Sequence, residues 1–263
     1  GVHSLITDTH VTPANVHDSG PYLDRIDRMR TRFGFEIGAV GLDAGYFTPH
    51  ICKGLVERNI YGVIGYRRPN HKEGFFYKRE YEYDAQADVY HCPNGQLLAY
   101  STTNRLGYRE YKSDAKQCSD CPSRARCTAS KNHIKVVTRH VWQHFKEQLT
   151  ANRLSVSGKE IYKHRKETVE RSFADAKQLH GHRYARFRGL AKVKAQALLA
   201  AACQNMKKMA SLLEKALRLS LSSYLTQAKH LWRSWKALGL RLKNMSRSSL
   251  IFKIPFRDSI IAQ

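Results

Sequence analysis

The sequence contains no uninterrupted run of about 18 apolar residues, so it predicts no transmembrane helix. Its first residues, GVHSLITDTHVTP, have neither the basic start nor the apolar stretch and small-residue cleavage site of a secretory signal. We therefore expect a cytoplasmic protein with no membrane partner. In such a reducing compartment, clustered cysteines bind metal more often than they form disulfides.

Acidic residues are also scarce. The 22 Asp and Glu stand against 45 Lys and Arg, which gives a formal charge of +23 in a chain of 263 residues. Such an excess indicates a polyanionic partner, meaning nucleic acid or an anionic membrane. Charge alone leaves a ribosome-like or merely soluble basic protein open as the alternative.

The first 66 residues alternate between strand and helix patterns. We predict a helix over residues 19–33 with Asp18 or Ser19 as N-cap, and a second helix over 48–58. Apolar and β-branched runs predict strands at three places: residues 2–11, 37–46 and 60–66. This alternation is typical of an α/β sheet with parallel members.

The pattern then changes. Residues 67–140 are rich in Tyr, Asn, Lys and Gly and contain short strand-like pieces, which predicts a module inserted into the α/β core. Helical patterns return at 158–181 and 190–213, and the basic residues that follow stay helix-compatible to about Leu242.

Two acids are candidate metal ligands. Asp43 follows a predicted buried strand, where open α/β sheets place their sites, although an Asp that starts a turn or caps a helix is equally common. Glu170 shares a predicted helix face with Ala174 and Lys177, beside a stripe of Val169, Phe173 and Ala176 that we expect to face the core. For Glu170 the alternative is a solvated helix face of mixed charge.

Glu170 and Lys177 are about 10.5 Å apart along the helix axis, too far for an i,i+4 ion pair but suited to successive parts of one extended ligand. Two carboxylates from different elements suit phosphodiester chemistry with Mg²⁺, in which acidic oxygens hold the ion while surrounding bases hold the phosphates.

Four segments resemble the DDE transposases of bacterial insertion sequences: VTPANVHDS (11–19), VGLDAGY (40–46), ETVERSFADAK (167–177) and HGHRYARFRGLAKVKAQ (180–196). They occur in the family's order over about residues 1–213. The resemblance implies an RNase H-like fold, a mixed sheet flanked by helices. It also implies an enzyme that cuts DNA at the element's ends and joins those ends to target DNA. In such an enzyme three acids bind two Mg²⁺ or Mn²⁺ ions.

By this resemblance Asp43 matches the second acid and Glu170 the third. Many relatives have the pattern Tyr-x2-Arg-x3-Glu-x6-Lys around the third acid. Here Lys177 keeps its spacing, Lys166 stands where Arg is expected, and Tyr162 comes one residue early.

The family's first acid lies on a strand upstream of residues 11–19, so we expect a chain truncated at its N-terminus and defective by itself. Asp8 is a poor substitute for that acid, and a cap is the simpler role for Asp18.

The cysteines predict a second metal site. Cys118-x2-Cys121-x5-Cys127, with Cys92 upstream, resembles a zinc knuckle, and His133 is an alternative ligand. Reduced, uncoordinated thiols are the other interpretation. Some DDE transposases carry a similar cysteine-bearing insertion. We expect Cys52 and Cys203 to be small core residues.

Basic residues near Glu170 are the expected DNA contacts: Lys166, Arg171, Lys177, Arg183, Arg186 and Arg188. Tyr184 and Phe187 lie between these arginines and can stack on unpaired bases, unless they pack on the core.

The expected organisation is a catalytic core from residues 1–66 and 141–213, an inserted cysteine module at 67–140, and a basic tail at 214–263. We expect DNA as partner and a homo-oligomer in the intact enzyme. A catalytically dead DNA-binding remnant and a metal-dependent nuclease are the alternatives.

Overall fold

Helices and strands are interleaved along the chain in a computed structural model that describes the backbone of residues 3–248 and the side chains of residues 3–236. Residues 6–202 form one compact unit, and residues 3–5 with 203–248 belong to a second. The predicted tail therefore lies partly outside the described residues.

The α-helices are α1 (Tyr22–Phe33), α2 (Pro49–Glu57), α3 (Ala115–Ser119), α4 (Arg124–Cys127), α5 (Gln143–Leu154), α6 (Val156–Arg165), α7 (Arg171–Leu179) and α8 (Leu190–Ser248). A π-helical turn, Lys166–Glu170, joins α6 to α7. The strands are β1 (Ala39–Leu42), β2 (Tyr61–Ile64), β3 (Glu82–Asp84), β4 (Val89–His91), β5 (Leu97–Thr103), β6 (Tyr108–Ser113) and β7 (Val136–His140).

Strands β1 and β2 pair in parallel, with Ala39 opposite Tyr61 and Leu42 opposite Ile64. Helix α2 connects them, and the Thr48 hydroxyl caps it by accepting a hydrogen bond from the Ile51 amide at 3.3 Å. The strands and helices α1, α2 and α5 share one core, whose buried residues are Leu23, Ile26, Leu42, Ile51, Cys52, Leu55, Ile60, Ile64 and Leu149. This confirms the predicted α/β arrangement with parallel strands.

The five other strands form an antiparallel sheet in the order β3-β4-β5-β6-β7, so each strand pairs with its neighbour in sequence. Its core consists of Tyr81, Tyr90, Leu98, Tyr111 and Val137. The hydroxyls of Tyr83 and Tyr111 both donate to Asp88 Oδ1, at 2.7 and 2.6 Å, which satisfies their polar ends. Among the described residues this sheet is separate from the β1–β2 pair, and all five of its strands lie within residues 67–140, the predicted insertion.

The predicted strand at residues 2–11 is wrong for the described part of that segment, because residues 4–11 have no regular secondary structure. Their polar groups instead contact helix α1. Arg25 forms an ion pair with Asp8 and also bonds to the Thr9 carbonyl at 3.5 Å. A segment fixed to a helix in this way does not pair with β1.

Three smaller predictions also fail. Helix α1 has Pro21 as its N-cap and no side-chain cap, so neither Asp18 nor Ser19 fills that role. Val169 and Phe173 are 42% and 60% exposed, which leaves Ala176 as the buried member of the predicted stripe. Cys52 is buried as expected, but Cys203 is exposed.

Within residues 3–248, none of the helices combines the length and the apolar character that crossing a bilayer requires.

Candidate active site

Asp43 occupies the carboxyl end of β1, where the strand passes into a short 3₁₀ turn, Ala44–Tyr46. Its carboxylate accepts a hydrogen bond from the Ala44 amide at 2.7 Å and is otherwise exposed. Asp43 therefore does start a turn, which was the alternative to a role as metal ligand. The hydrogen bond uses one carboxylate oxygen, and the other remains available.

Helix α6 lies directly against the ends of the two parallel strands. A β-carbon added at Gly41 in β1 would lie 3.5 Å from the Arg165 β-carbon, and one added at Gly65 would lie 2.5 Å from the Tyr162 hydroxyl and 3.0 Å from the Ala44 amide. These approaches are too close for larger residues at Gly65. The two glycines thus bring Tyr162 and Arg165 beside the residues that flank Asp43.

The start of α6 is fixed by hydroxyl groups. The Ser155 hydroxyl accepts from the Gly158 amide at 3.0 Å, as an N-cap does, and it also lies 2.9 Å from the Tyr61 hydroxyl of β2. Helix α6 is therefore tied to the strand pair at the end opposite to Arg165.

The π turn determines which basic side chain reaches Glu170. In an α-helix a step of five residues rotates the side chain by about 140° from the starting direction, whereas the wider i→i+5 turn returns it to the same face. Arg165 Nη1 donates to Glu170 Oε1 at 2.5 Å across this turn. The Arg165 side chain is 14% exposed and that of Glu170 is 50% exposed, so the base is anchored and the acid is accessible.

The Tyr46 hydroxyl lies close enough to Asp18 and Asp43 for the charges of both to affect its pKa. Its pKa is raised chiefly by burial, and then by the negative charges of Asp18 and Asp43, while the positive charge of Arg165 lowers it. The Tyr46 ring packs edge-on against Tyr22 at 5.1 Å between centroids. The loop before α1 also comes close here, since a β-carbon at Gly45 would lie 4.0 Å from His17 Cε1.

The acids do not form a ready metal centre. Across the side chains of residues 3–236, no three His, Cys, Asp or Glu form a group arranged to hold a metal ion. Asp8 is engaged by Arg25, on the side of α1. Asp18, Asp43 and Glu170 are all exposed.

The predicted DNA contacts extend along α7 and the loop after it. Lys166, Arg171 and Lys177 are exposed, as are Arg183 and Arg188. Tyr184 and Phe187 are 74% and 53% exposed, which contradicts the alternative that they pack on the core.

Arg186 differs from its neighbours. Its amide donates to Gln196 Oε1 of α8 at 3.0 Å, and Gln196 in turn donates to the Tyr184 carbonyl at 2.8 Å. The Arg186 guanidinium is also the group that a β-carbon at Gly181 would meet, at 2.8 Å. This arginine therefore helps to shape the loop that presents the others.

Residues 91–210 match the family model of the transposase DDE domain. The matched segment covers slightly less than half of the chain and supports a DDE transposase family. It includes Glu170, Lys177 and the four clustered cysteines but not Asp43. No curated protein and no solved structure matches the chain.

The parts played by Arg165, Tyr162 and Tyr46 were not predicted from the sequence. The base expected four residues before Glu170 was Lys166, whose side chain is exposed, whereas Arg165 is the residue that donates a hydrogen bond to Glu170. The indication was present in the sequence, because Tyr162 and Arg165 are both one residue early relative to the family pattern.

Proposed function

We propose that this chain is the catalytic part of a DDE transposase, which cuts DNA at the ends of an insertion sequence and joins them to target DNA in the bacterial cytoplasm. The family match supports the class of reaction. The observation that carries the proposal for these residues is the π-turn helix, in which Arg165 packs against Gly41 of the strand that ends in Asp43 and pairs with Glu170.

In this proposal residues 1–66 and 141–213 make an RNase H-like catalytic core, and residues 67–140 are an insertion into it. The parallel β1–β2 pair and its helices supply part of that core. The intact enzyme acts as a homo-oligomer, because two element ends must be joined to one target.

Asp43 and Glu170 would hold Mg²⁺ or Mn²⁺. Their exposed carboxylates are the hard oxygen donors that these ions prefer. When bound, divalent ions would polarise the phosphate and activate the attacking hydroxyl. Asp18 is the best candidate for a third ligand, because its charge reaches Tyr46 together with that of Asp43, whereas Asp8 is paired with Arg25.

The remaining residues orient the acids and the DNA. Arg165 holds the Glu170 carboxylate towards the strand ends. Lys177 and Arg171 on α7, with Lys166, contact phosphates near the cut. Arg183 and Arg188 contact the backbone further along while Tyr184 and Phe187 stack on exposed bases.

Each of the two reactions replaces one phosphorus–oxygen bond by another. In the first, a water oxygen bonds to phosphorus and the 3′ oxygen of the element end leaves as a hydroxyl. In the second, that hydroxyl oxygen bonds to a target phosphorus and displaces a target 3′ oxygen. No bond energy has to be supplied from outside.

The test is Mn²⁺-dependent cutting of supercoiled plasmid DNA by the purified chain. The sequence predicts a chain that is defective by itself, so we expect weak activity. It should fall by about a hundredfold or more in Asp43→Asn and in Glu170→Gln, since each substitution removes a charged ligand. Glu167→Gln is the matched control, because Glu167 is exposed on the same π turn.

DNA binding with no cutting under any divalent ion would favour the catalytically dead remnant. Cutting with no joined products would favour a plain nuclease. Cutting that is unchanged in Asp43→Asn and Glu170→Gln would contradict the proposed site.

A further inference from the structure

Four cysteines border a single small cavity beside the antiparallel sheet. The cavity has a volume of about 20 Å³, and its lining includes Cys92, Cys118, Cys121 and Cys127. This volume is about that of one water-sized sphere. Cys92 comes from the turn after β4, Cys118 from α3, Cys121 from the α3–α4 connection and Cys127 from α4, so separate segments converge there.

Hydrogen-bond donors are directed at three of these sulfurs. The Gln96 amide donates to Cys92 Sγ at 3.3 Å and Asn94 Nδ2 to Cys121 Sγ at 3.2 Å. The Tyr81 hydroxyl lies 3.2 Å from Cys127 Sγ. Donors of this kind stabilise thiolates and orient them when they ligate a metal.

The charge balance around the cavity also suits thiolates. Lys135 and Arg124 are part of its lining, and Lys135 Nζ donates to the Cys127 carbonyl at 2.8 Å. Two positively charged side chains beside the cavity would offset part of the negative charge of thiolates bound there.

Helices α3 and α4 are short. They have five and four residues, far below the length of about 12 residues at which an isolated helix becomes even marginally stable. Cys118 is the buried residue of α3, and none of the residues of α4 is buried. Besides the thiols, α4 is held by Arg126, whose guanidinium lies 4.6 Å from the centre of the Phe76 ring and whose carbonyl accepts from the Phe76 amide at 2.8 Å. A bound ion would add a cross-link to both helices.

We propose that Cys92, Cys118, Cys121 and Cys127 together bind one structural Zn²⁺ ion. Four thiolates in a tetrahedron are a usual zinc environment. His133, the alternative ligand, does not border the cavity. The thiols surround the space without already forming a ligand group, so their side chains rotate as the ion binds.

Binding replaces four S–H bonds by four Zn–S bonds and releases the protons to solvent, with no change of oxidation state. All four cysteines are free thiols, so no disulfide has to be reduced first. The role of the ion is to attach α3 and α4 to β4 and β5, independently of the Asp43–Glu170 site.

The test uses the full chain, expressed with zinc and purified under a phosphine reductant in the presence of excess Mg²⁺. We expect about one zinc per chain by elemental analysis, and replacement by Co²⁺ should give the intense sulfur-to-metal absorption of a four-thiolate site. Cys118→Ser and Cys121→Ser should each lower the zinc affinity by at least about tenfold.

Cys203→Ser is the matched control, because Cys203 is exposed and does not border the cavity. It should keep the metal and the cobalt spectrum. A chelator should lower the melting temperature of the wild-type chain, and added Zn²⁺ should restore it.

A chain that purifies without zinc and shows no thiolate absorption with Co²⁺ would overturn the proposal. So would zinc that survives Cys118→Ser and Cys121→Ser but is lost in Asp43→Asn. Neither result depends on whether the chain cuts DNA.

Discussion

Arg165 is anchored more firmly than the acid it pairs with. The Arg165 side chain is 14% exposed, and its β-carbon packs against Gly41. Its guanidinium lies 5.7 Å from the centre of the Tyr162 ring. Glu170 is half exposed. An ion pair with one exposed member contributes little to stability, so its effect is on where the carboxylate points.

Replacement of Arg165 by Ala should therefore reduce DNA cutting by about tenfold or more, because a misplaced ligand is costly to catalysis. The free energy of unfolding should fall by less than about 1 kcal/mol. Lys163→Ala, two residues away and exposed on α6, should leave the cutting rate within about twofold of the wild type. Cutting rates and urea denaturation of the two variants check this, and equal losses of activity in both would contradict it.

His140 predicts a pH dependence of stability. Its pKa is lowered mainly by burial, with Lys146 acting in the same direction and a backbone hydrogen bond to Leu106 opposing it. The folded state thus favours the neutral imidazole. Its contribution is complete above the pKa of the unfolded chain, about 6.5, and is lost as the pH falls towards the lower folded value.

The melting temperature of the wild-type chain should fall between pH 7.5 and pH 5.5, and His140→Gln should reduce that difference. His144→Gln is the control, because that neighbouring histidine is exposed. Differential scanning calorimetry at the two pH values measures the effect. An identical pH difference in wild type and His140→Gln would show that another group is responsible.

At the scale of elements, the π turn accommodates one extra residue within the continuous helix formed by α6 and α7. Tyr162 and Arg165 before it and Glu170 and Lys177 after it lie along one continuous helical segment, α6 to α7. Removing one residue inside the turn should convert it to α-helix and leave Arg165 four residues before the acid, still on the same face.

Deletion of Glu167, an exposed residue of the turn, should consequently keep most of the cutting activity. Deletion of Ala174, in α7, should abolish it, because every later side chain would turn by about 100° and Ala176 would leave its buried position. Circular dichroism with cutting assays on the two deletions tests this. A folded but inactive Glu167 deletion would mean that the wider turn itself is required.

The sequence was sufficient for some elements and not for others, for reasons that differ. The helix over 158–181 and the strands near Asp43 and Gly65 have strong apolar periodicity, so their type was predicted correctly. A π turn has no apolar periodicity of its own in the sequence. Here the packing of α6 on Gly41 and Gly65 selects the hydrogen-bond register. The segment at residues 4–11 has strand-like residues, but its Asp8 finds Arg25 on a helix instead.

For the candidate sites, motif spacing predicted roles for Glu170 and Lys177 and, separately, for the four clustered cysteines. The structure adds the cavity that the four thiols border. The pairing of Arg165 with Glu170 depends on the geometry of one turn and could not be read from residue types alone.

For the whole molecule, the charge of +23 makes DNA binding strongly dependent on salt. Arg183 and Arg188 are exposed on the loop before α8, whereas Arg186 is engaged with that loop's own backbone. Replacing Arg183 and Arg188 together by Gln should reduce the slope of log K against log salt by about 2, because about 0.9 of a unit is lost for each phosphate contact.

Fluorescence anisotropy of a labelled duplex over a salt series measures this slope. The control is Arg28 and Arg105 replaced by Gln, which changes the net charge equally at two exposed positions elsewhere. An equal change of slope in both double variants would mean that the loop is not a specific contact.

The strand order of the five-stranded sheet has a kinetic consequence. Each of its strands pairs with the next along the chain, so the sheet can form from local contacts and should fold early. The core around β1 and β2, in contrast, needs Leu149, which lies beyond the sheet in sequence. Once folded, the sheet holds β3 and β7 about 19 Å apart, at four strand spacings of about 4.8 Å. The long connection between β2 and α5 is thereby shortened before it closes, which lowers the entropic barrier to completing the parallel core.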